Sequence, residues 1–462
     1  MQVFAFWGII KLSEKAIERR DDMKRFIAVI AVLIVATVLY QTAVYFWLPD
    51  GSVDLSGAVS QGEQEPKTPL PEDSFEYTQL DMSAAPGSDH VASVTDQTAS
   101  PSFYYEFWEP QDGYNALQGT ELQALYHQIE SSVYQIGDEK NDRDCYPMKT
   151  ITVRGTHIDK ADIRRAITAF TSDSPQVFWM SNVYGFAYSG EDTVIQLYSY
   201  LSADACTQAI KQLNAKIEEI ISSMAGDISE LNREIYLFEQ LAKDCFYDDA
   251  AAQNTDIWQS YTSYGALVNG RAVCEGYSRA MQLLLSYAGI HSRIVYGEAD
   301  GGLHMWNLVR IDGEWYHLDA AWNDSNTLVS YRYFNVTDQV IQKDHTISGN
   351  LSALPECTSE AAGYYQAKGV KITGFDGGAD KTVIDALVQA AEKEARQISF
   401  YVDPSLDYDE IIKGLFSQEP YKLAYYIGQA NKQLETKLDY QAMIYVLSEE
   451  NHGITVKLEY EI

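Results

Sequence analysis

The feature that most constrains the fold is a predicted β-hairpin centred on Asp312 and Gly313. Apolar and aromatic residues dominate the flanking stretches 303–311 and 314–322. An Asp-Gly pair between two such stretches is a strong signal for a two-residue turn. A turn of that length pairs the two residues that flank it, and this sets the register of the whole hairpin. The register decides which polar side chains share a face.

Two polar side chains of the hairpin, His304 and Asp319, are predicted to lie on one face. In the register of a two-residue turn, Asp319 is opposite Trp306 and His304 is opposite Ala321. The histidine and the aspartate are then diagonal neighbours, with Cα atoms roughly 7–8 Å apart. At that separation the carboxylate can accept the imidazole N–H.

A cysteine precedes the hairpin, at the predicted start of an amphipathic helix. Cys274 lies in GRAVCEGY, and Gly289 is the predicted end of the helix. Between them, apolar residues recur at steps of three and four: Tyr277, Met281, Leu284, Leu285 and Ala288. The unpaired amides of a helix start favour a thiolate and can hold an oxyanion. We therefore expect main-chain amides near Cys274 to be oxyanion donors, with Tyr264 as a candidate side-chain donor.

Cys274, His304 and Asp319 together offer a nucleophile, its base and a group that orients the base. A single cysteine is more often a small buried hydrophobic residue. We expect this of the other four cysteines, whose spacing shows no disulfide framework and predicts no pairing. They are Cys145, Cys206, Cys245 and Cys357. His317 is expected to be a core or surface residue rather than a base.

These motifs make residues 246–345 resemble the transglutaminase-like superfamily of papain-like thiol enzymes. The resemblance rests on ALVNGRAVCEGYSRA, on GIHSRIVYGEADGGLHMWNLVRIDGEWYHLDAAWND and on YRYFNVTDQVIQKDH. It implies a nucleophile in Cys-x-Gly-Tyr at Cys274 and a base in His-x-Trp-Asn at His304. The carboxylate of Asp-x-x-Trp corresponds to Asp319. Supporting roles are implied for Trp306, Asn307 and Trp322.

The resemblance implies an α+β fold, in which a helix bearing the thiol packs on an antiparallel sheet bearing the histidine and the aspartate. One departure from the family pattern is Ala321, where many relatives have threonine, and it leaves the three predicted catalytic groups intact. The family includes proteases, amidases and cross-linking transferases. The chain has no Cys-x-x-Cys pair and no His-rich tract, so we expect neither a metal nor a cofactor.

The N-terminal region predicts a membrane anchor. Residues 26–48 carry no charged side chain and are long enough to span a bilayer. Lys24 and Arg25 precede this stretch, so residues 1–25 are expected in the cytoplasm and the residues after about 49 outside it. A poor cleavage pattern favours an uncleaved signal anchor of a membrane-anchored bacterial protein. Translation from Met23 is a further hypothesis, because Met23 would begin an ordinary export signal.

The next stretch, residues 49–102, is rich in Ser, Gly, Pro, Asp and Glu and is predicted to be a disordered acidic tether. Such a chain would have a root-mean-square reach on the order of 40 Å. The formal charge of the whole chain is −32, which argues against a nucleic-acid partner. A solvated acidic surface accounts for this charge most simply.

The rest of the chain is predicted to form three modules. Residues 226–358 are the predicted catalytic domain, and small αβ modules are predicted on either side of it, at 103–225 and 366–462. Segments 151–182 and 398–429 follow a similar course of strand, helix, proline and aromatic strand. This similarity predicts two copies of one module.

The predicted chemistry is attack of a thiolate on a peptide or amide carbonyl, which forms a thioester. Water would complete a hydrolysis, and we favour this outcome, that of an extracytoplasmic cysteine peptidase or amidase. Transfer to an amine, as in the cross-linking of proteins or cell walls, is the alternative. A non-catalytic binding module is a third hypothesis. The expected partners are a peptide or protein substrate, such as a cell-wall peptide, and the membrane through the N-terminal helix.

Overall fold

The computed structural model describes residues 76–79, 91–94, 107–224, 226, 228–323, 328–441 and 443–461. The predicted cytoplasmic segment 1–25 and the predicted anchor 26–48 lie outside these residues. Within the described part, no helix combines the length and the apolar character that crossing a bilayer requires.

The N-terminal part combines a mixed sheet with four helices among the described residues. Its strands are β1 (Glu76–Gln79), β2 (Val91–Ser93), β3 (Gln135–Gly137), β4 (Tyr146–Pro147), β5 (Ile151–Val153), β6 (Met180–Ser189) and β7 (Asp192–Ser199). Its helices are α1 (Asp112–Ala116), α2 (Thr120–Ser132), α3 (Lys160–Asp173) and α4 (Ala203–Ser223). The main sheet has the strand order β1-β6-β7-β4, and β5 also pairs with β7.

The structure differs from the predicted tether at two places. Residues 49–102 are described only at 76–79 and 91–94. Strand β1 pairs in parallel with β6, and β2 pairs antiparallel with β3. Backbone hydrogen bonding to strands of the N-terminal part therefore orders these two pieces, and the prediction of disorder is wrong for them.

The central part carries the thiol helix and the hairpin. Its helices are α5 (Glu230–Asp244), α6 (Cys274–Tyr287), α7 (Ala320–Asn323) and α8 (Asp338–Ile341). Its strands are β8 (Phe246–Tyr247), β9 (Arg271–Ala272), β10 (Ser292–Ala299), β11 (Gly302–Ile311), β12 (Glu314–Leu318) and β13 (His345–Ile347). The antiparallel sheet has the order β12-β11-β10-β13. Helix α6 is tied to it by Ser278, whose hydroxyl donates to the Met305 carbonyl at 2.8 Å.

The C-terminal part is a second αβ unit. Its helices are α9 (Tyr364–Lys368), α10 (Gly377–Glu392), α11 (Tyr408–Phe416) and α12 (Lys422–Ala430). Its strands are β14 (Val370–Ile372), β15 (Gln397–Val402), β16 (Tyr445–Ser448) and β17 (Gly453–Lys457), in the sheet order β14-β15-β17-β16. The described residues as a whole thus form the expected mixed α+β protein.

The hairpin has the predicted turn and register. Ile311 pairs with Glu314, and the two turn residues Asp312 and Gly313 have φ angles of 50° and 93°. The predicted second strand is too long, however, because β12 ends at Leu318 and α7 follows. The pairing predicted between residues 304 and 321 is therefore wrong.

The second strand ends because Asp319 changes the direction of the chain. Its side-chain Oδ1 accepts the backbone N–H of Trp322 at 3.1 Å, in the manner of a helix cap. Its own backbone N–H donates to the Tyr333 carbonyl at 3.0 Å instead of to a residue of β11. The carboxylate is therefore held where the strand becomes a helix.

The thiol helix begins and ends as predicted. Helix α6 starts at Cys274, and Gly289 follows its last turn with a φ angle of 68°. The Gly289 N–H donates to the Ser286 carbonyl, and the Ile290 N–H donates to the Leu285 carbonyl. These two bonds form a Schellman motif, which requires the left-handed conformation that glycine adopts most easily.

The described residues contain four clusters of buried apolar side chains, and two of these clusters are large. One continuous core runs from Val94 to Tyr365 and includes side chains of both the predicted N-terminal module and the predicted catalytic domain. A separate core, from Ile372 to Leu458, belongs to the C-terminal part. The N-terminal and central parts therefore pack as one body.

The predicted repeat holds only for its first half. Strand β15 and helix α11 match β5 and α3 in order, but the predicted aromatic strand of the C-terminal copy is helix α12. Leu423, Tyr426, Ile427 and Ala430 are buried there at steps of three and four residues, which is helical spacing. The aromatic composition of this segment concealed its helical period.

Two helical glycines provide a test of the packing at the helix start. A Cβ atom on Gly276 would lie 2.4 Å from the Ser260 carbonyl oxygen, whereas a Cβ on Gly428 would meet nothing within 4 Å. We expect Gly276→Ala to lower the free energy of unfolding by about 1–3 kcal/mol through overpacking. Gly428→Ala should raise it by about 0.5–1 kcal/mol. Urea unfolding of both variants measures this, and equal effects would contradict the described approach of α6 to Ser260.

Candidate thiol active site

Cys274 is the first residue of α6, and its side chain is partly exposed. The preceding segment is anchored, because the Val273 N–H donates to the Ser260 carbonyl at 2.9 Å and Ala272 pairs with Tyr247. The first amides of a helix have no acceptor within the helix. The amides at Cys274 can therefore donate to an oxyanion that forms beside the sulfur.

His304 lies on β11 and forms a short hydrogen bond to Asp319. The distance from Nε2 of His304 to Oδ2 of Asp319 is 2.6 Å, and both side chains are buried. Cys274 lies close enough to the imidazole to contribute to its raised pKa. Since Nε2 faces the carboxylate, Nδ1 is the nitrogen left for the sulfur. The structure thus brings together the three predicted catalytic side chains.

The two buried ions shift each other's pKa. Burial alone would lower the pKa of the His304 imidazole, but the Asp319 carboxylate and, to a smaller extent, Cys274 raise it from 6.5 to about 10. Burial alone would raise the pKa of Asp319, but His304 and His345 lower it from 3.8 to about 2. An ion pair between His304 and Asp319 is thus the favoured state over a wide pH range.

These shifts give the pH window in which the pair stabilises the fold. The pKa of His304 is raised, so its contribution is complete below about pH 6.5 and is lost as the pH rises through about 10. The pKa of Asp319 is lowered, so its contribution is complete above about pH 3.8 and is lost as the pH falls through about 2. Both contributions are complete between these limits, in mildly acidic solution.

Trp306 and His317 form a second buried chain behind the site. The Trp306 indole N–H donates to Nδ1 of His317 at 2.9 Å, and its ring lies 6.0 Å from the His304 ring at an angle of 25°. Nε2 of His317 therefore carries the proton and donates to Asp338 Oδ1 at 2.8 Å. His317 is a buried core residue, within the expectation for it, and it orients Trp306.

The other two supporting residues implied by the family motifs also touch this arrangement. Asn307 donates from Nδ2 to the Ser278 carbonyl at 3.0 Å, which ties β11 to the thiol helix. The Trp322 backbone N–H donates to Asp319, and the indole ring lies 5.6 Å from the His304 ring. Both residues therefore position the charged pair.

Tyr264 is the predicted site residue that the structure directs elsewhere. Its hydroxyl donates to Oε1 of Gln212 at 2.6 Å, and its ring stacks on Phe178. Tyr247 lies closer to the chemistry: burial, followed by the charges of Cys274 and nearby residues, raises its pKa to about 12. A π-helical turn at Gly265–Asn269 follows Tyr264 and directs its side chain toward α4, which the sequence pattern did not reveal.

His345 is a further residue of the site that the sequence motifs did not single out. This side chain is completely buried, and its Nε2 lies 3.1 Å from Oδ2 of Asp319. The residue is the last of the third family-like segment, and a histidine directly after Asp344 in that segment was the available signal. Tyr247 had no comparable signal, because it reaches the sulfur only through the parallel pairing of β8 with β9.

Among the described residues, two clusters bring potential metal-ligand atoms within 4.8 Å of one another. They are His304 with Asp319 and His345, and His317 with Asp338 and Cys357. In the second cluster the proton on Nε2 of His317 is fixed by the Trp306 hydrogen bond, and a metal ion would have to displace it. In the first, both imidazoles direct a nitrogen to the same carboxylate oxygen. The polar atoms of both clusters are thus engaged in hydrogen bonding.

Comparison with known proteins identifies the class of the domain. Residues 218–320 match the family model described as the transglutaminase-like superfamily, so the chain carries a transglutaminase-like domain. Kyphoscoliosis peptidase of Mus musculus is 25% identical to the chain over 141 residues, which are 28% of this chain and 21% of the mouse protein. The similarity therefore spans about a fifth of that relative's length.

Two solved structures are similar to parts of the chain. A structure described as a TGase is 15% identical, with a TM-score of 0.24, and the match covers 41% of this chain and 54% of that one. A second, whose description proposes a cysteine protease from Cytophaga hutchinsonii, is 11% identical, with a TM-score of 0.20 and coverages of 28% and 52%. The matched regions are about half of each solved chain.

We expect the His304 ring to remain doubly protonated at about pH 8, because Asp319 holds its pKa near 10. Long-range ¹H–¹⁵N correlation spectra of the histidine rings across a pH titration measure this directly. Asp319→Asn should move the His304 midpoint several pH units down. A wild-type midpoint near 6.5, the value of an isolated imidazole, would contradict the described ion pair.

Proposed function

We propose that this protein is a thiol enzyme that hydrolyses peptide or amide bonds through Cys274, His304 and Asp319. The observation that carries the proposal is the buried 2.6 Å pair of His304 and Asp319 beside a partly exposed cysteine at a helix start. A non-catalytic binding module gains nothing from a nucleophile, a charged base and free helix amides at one point. A buried ion pair also carries a desolvation cost. Binding alone does not require a pair of this kind.

In the proposed reaction the Cys274 thiolate attacks the carbonyl carbon, and helix-start amides hold the resulting oxyanion. The His304 imidazolium then gives a proton to the leaving amine, and a thioester remains on the sulfur. His304, now neutral, takes a proton from water, and the hydroxide attacks the thioester. Asp319 keeps the imidazole oriented and stabilises its charged form through both steps.

Hydrolysis is favoured over transfer because the mouse relative, which is 25% identical over 141 residues, is named as a peptidase. The proposed substrate is a peptide or protein segment, and a cell-wall peptide is one such substrate. Tyr247 is 39% exposed and lies within the electrostatic reach of Cys274, so its ring can contact a bound chain beside the sulfur.

We also propose, from the sequence of residues 26–48 and 1–25, that the protein is anchored in a membrane with its catalytic part outside the cytoplasm. Alkaline carbonate extraction of membranes, followed by protease treatment of intact cells, tests both parts. Release of the protein into the soluble fraction contradicts the anchor, and protection of the catalytic part in intact cells contradicts the orientation.

Substitution of the three catalytic side chains tests the mechanism. Cleavage of fluorescent casein should be abolished in Cys274→Ala and nearly abolished in His304→Ala, because the nucleophile or its base is lost. Asp319→Asn should reduce the rate by up to about four orders of magnitude while the fold is retained. Far-ultraviolet circular dichroism checks the fold of each variant.

His291→Gln provides the matched control for these variants. This histidine also bonds to a carboxylate, Asp112 at 2.8 Å, but it lies beyond the C-terminal end of α6. We expect the His291→Gln variant to cleave casein at the wild-type rate.

Iodoacetamide labelling of Cys274 distinguishes the enzymatic hypothesis from the binding-module hypothesis. Labelling that is equally slow in wild type and His304→Ala would favour the binding module.

The partition of the thioester between water and amines distinguishes hydrolysis from cross-linking. We expect incubation with dansyl-cadaverine and casein to yield new peptide termini with little dansyl incorporation, because Cys274 is partly exposed to water. Mass spectrometry of the products quantifies both outcomes. Dansyl incorporation at glutamine without chain cleavage would identify the protein as a transferase and contradict the hydrolytic proposal.

A further inference from the structure

The Asp319 carboxylate serves two imidazoles at once. Oδ2 lies 2.6 Å from Nε2 of His304 and 3.1 Å from Nε2 of His345, while Oδ1 accepts the Trp322 N–H. Two imidazoles that share one oxygen must each direct an N–H toward it, because an ionised carboxylate only accepts hydrogen bonds. His345 is therefore protonated on Nε2.

The second nitrogen of His345 also faces a carboxylate. Nδ1 lies 2.7 Å from Oδ1 of Asp344, and the other Asp344 oxygen accepts the Tyr333 hydroxyl and lies 3.5 Å from the Arg332 guanidinium. With a hydroxyl donor and a guanidinium at that oxygen, the Asp344 carboxylate acts as a hydrogen-bond acceptor. Nδ1 must then donate as well, and a ring that donates from both nitrogens is an imidazolium.

Three aromatic rings surround this proposed cation. The ring centroids of Trp322, Trp306 and Tyr333 lie 4.7, 5.1 and 5.1 Å from that of His345, whose side chain has no solvent exposure. Aromatic rings attract a cation within about 6 Å, most strongly where water is excluded. The cage thus offers a buried positive charge some of the stabilisation that water would otherwise provide.

Backbone pairing places the His345 side chain beside Asp319. Strand β13 pairs with β10, so that His345 is opposite Ala299 and Ile347 is opposite Gly297. A Cβ on Gly297 would lie 2.2 Å from the Thr346 carbonyl oxygen and 2.7 Å from the Trp306 ring. The missing side chain lets the strand and the indole approach, and this brings His345 onto Asp319.

From these contacts we propose that His345 is a doubly protonated positioning residue, which shares Asp319 with His304 in a buried chain of alternating charges that ends at Asp344. Its part in catalysis rests on the function proposed above, but its protonation state does not. When His304 gives up its proton to a leaving group, Asp319 would otherwise be a buried and uncompensated anion. His345 keeps that charge neutralised throughout, so the carboxylate stays ionised and in place.

Titratable and charged groups from several neighbouring segments face His345. They are His304, His317, Asp319, Asp344 and Tyr333, with Arg332 behind Asp344. The pKa of His317 is lowered chiefly by burial, and His345 is among the smaller causes of that shift. When His345 is replaced, His304 is the one imidazole of the described residues that remains on Asp319.

The first test is the protonation of His345 in the wild-type protein. Long-range ¹H–¹⁵N spectra at about pH 7.5 should show both ring nitrogens protonated, with the signals assigned by their loss in His345→Gln. In Asp344→Asn, where the second acceptor carries no charge, one nitrogen should lose its proton. A wild-type ring with one bare nitrogen would overturn the proposal, whether or not the protein is an enzyme.

The second test separates positioning from packing. In His345→Gln the side chain retains one N–H donor but no charge, so His304 should hold its proton more tightly and its midpoint should rise by about one pH unit. The kcat for casein cleavage should fall while KM stays near the wild-type value, and His291→Gln should change neither. A folded His345→Gln protein with an unchanged His304 midpoint would overturn the inference.

The outcomes also separate this inference from the proposed function. A doubly protonated His345 in a protein whose Cys274→Ala variant cleaves casein as fast as wild type would refute the catalytic proposal alone. A singly protonated His345 in a protein whose cleavage depends on Cys274 would refute the inference alone.

Discussion

The central part of the structure depends on one buried carboxylate. Asp319 caps the short helix α7 with one oxygen, and with the other it holds His304 and His345. The same residue ends strand β12, because its backbone N–H turns away to Tyr333. The change from strand to helix and the charge of the candidate site are therefore set at a single residue. Its complete burial makes each of these hydrogen bonds stronger than it would be in water, and makes the loss of any of them more costly.

Local signals in the sequence were sufficient for the thiol helix and the turn of the hairpin. Asp312 and Gly313 specify their turn through backbone conformation, and Gly289 specifies the end of α6 in the same way. Such signals act over a few residues and can be recognised without the rest of the chain. The register of the turn predicts that His304 and Asp319 share a face, but the bonds that hold Asp319 beyond the end of β12 complete their contact.

The features that escaped the sequence analysis are set by contacts between distant segments. His345 reaches Asp319 through the pairing of β13 with β10, and Tyr247 reaches Cys274 through the pairing of β8 with β9. Tyr264 turned toward α4 for a similar reason, since its partner Gln212 lies on a different helix. Helix α12 was mistaken for a strand because its aromatic residues favour strands, whereas the burial of one face decides its period. Tertiary packing outweighed local preference in each case.

The continuous core that joins the N-terminal and central parts has a consequence for the history of the protein. Side chains of α2, α3 and α4 belong to the same apolar cluster as those of α5 and α6, whereas most of the chain beyond α9 has a cluster of its own. The part of the chain beyond α9 could therefore be exchanged in evolution with less disturbance of the thiol helix than the N-terminal part. The N-terminal part could only have diversified in step with the domain that it supports.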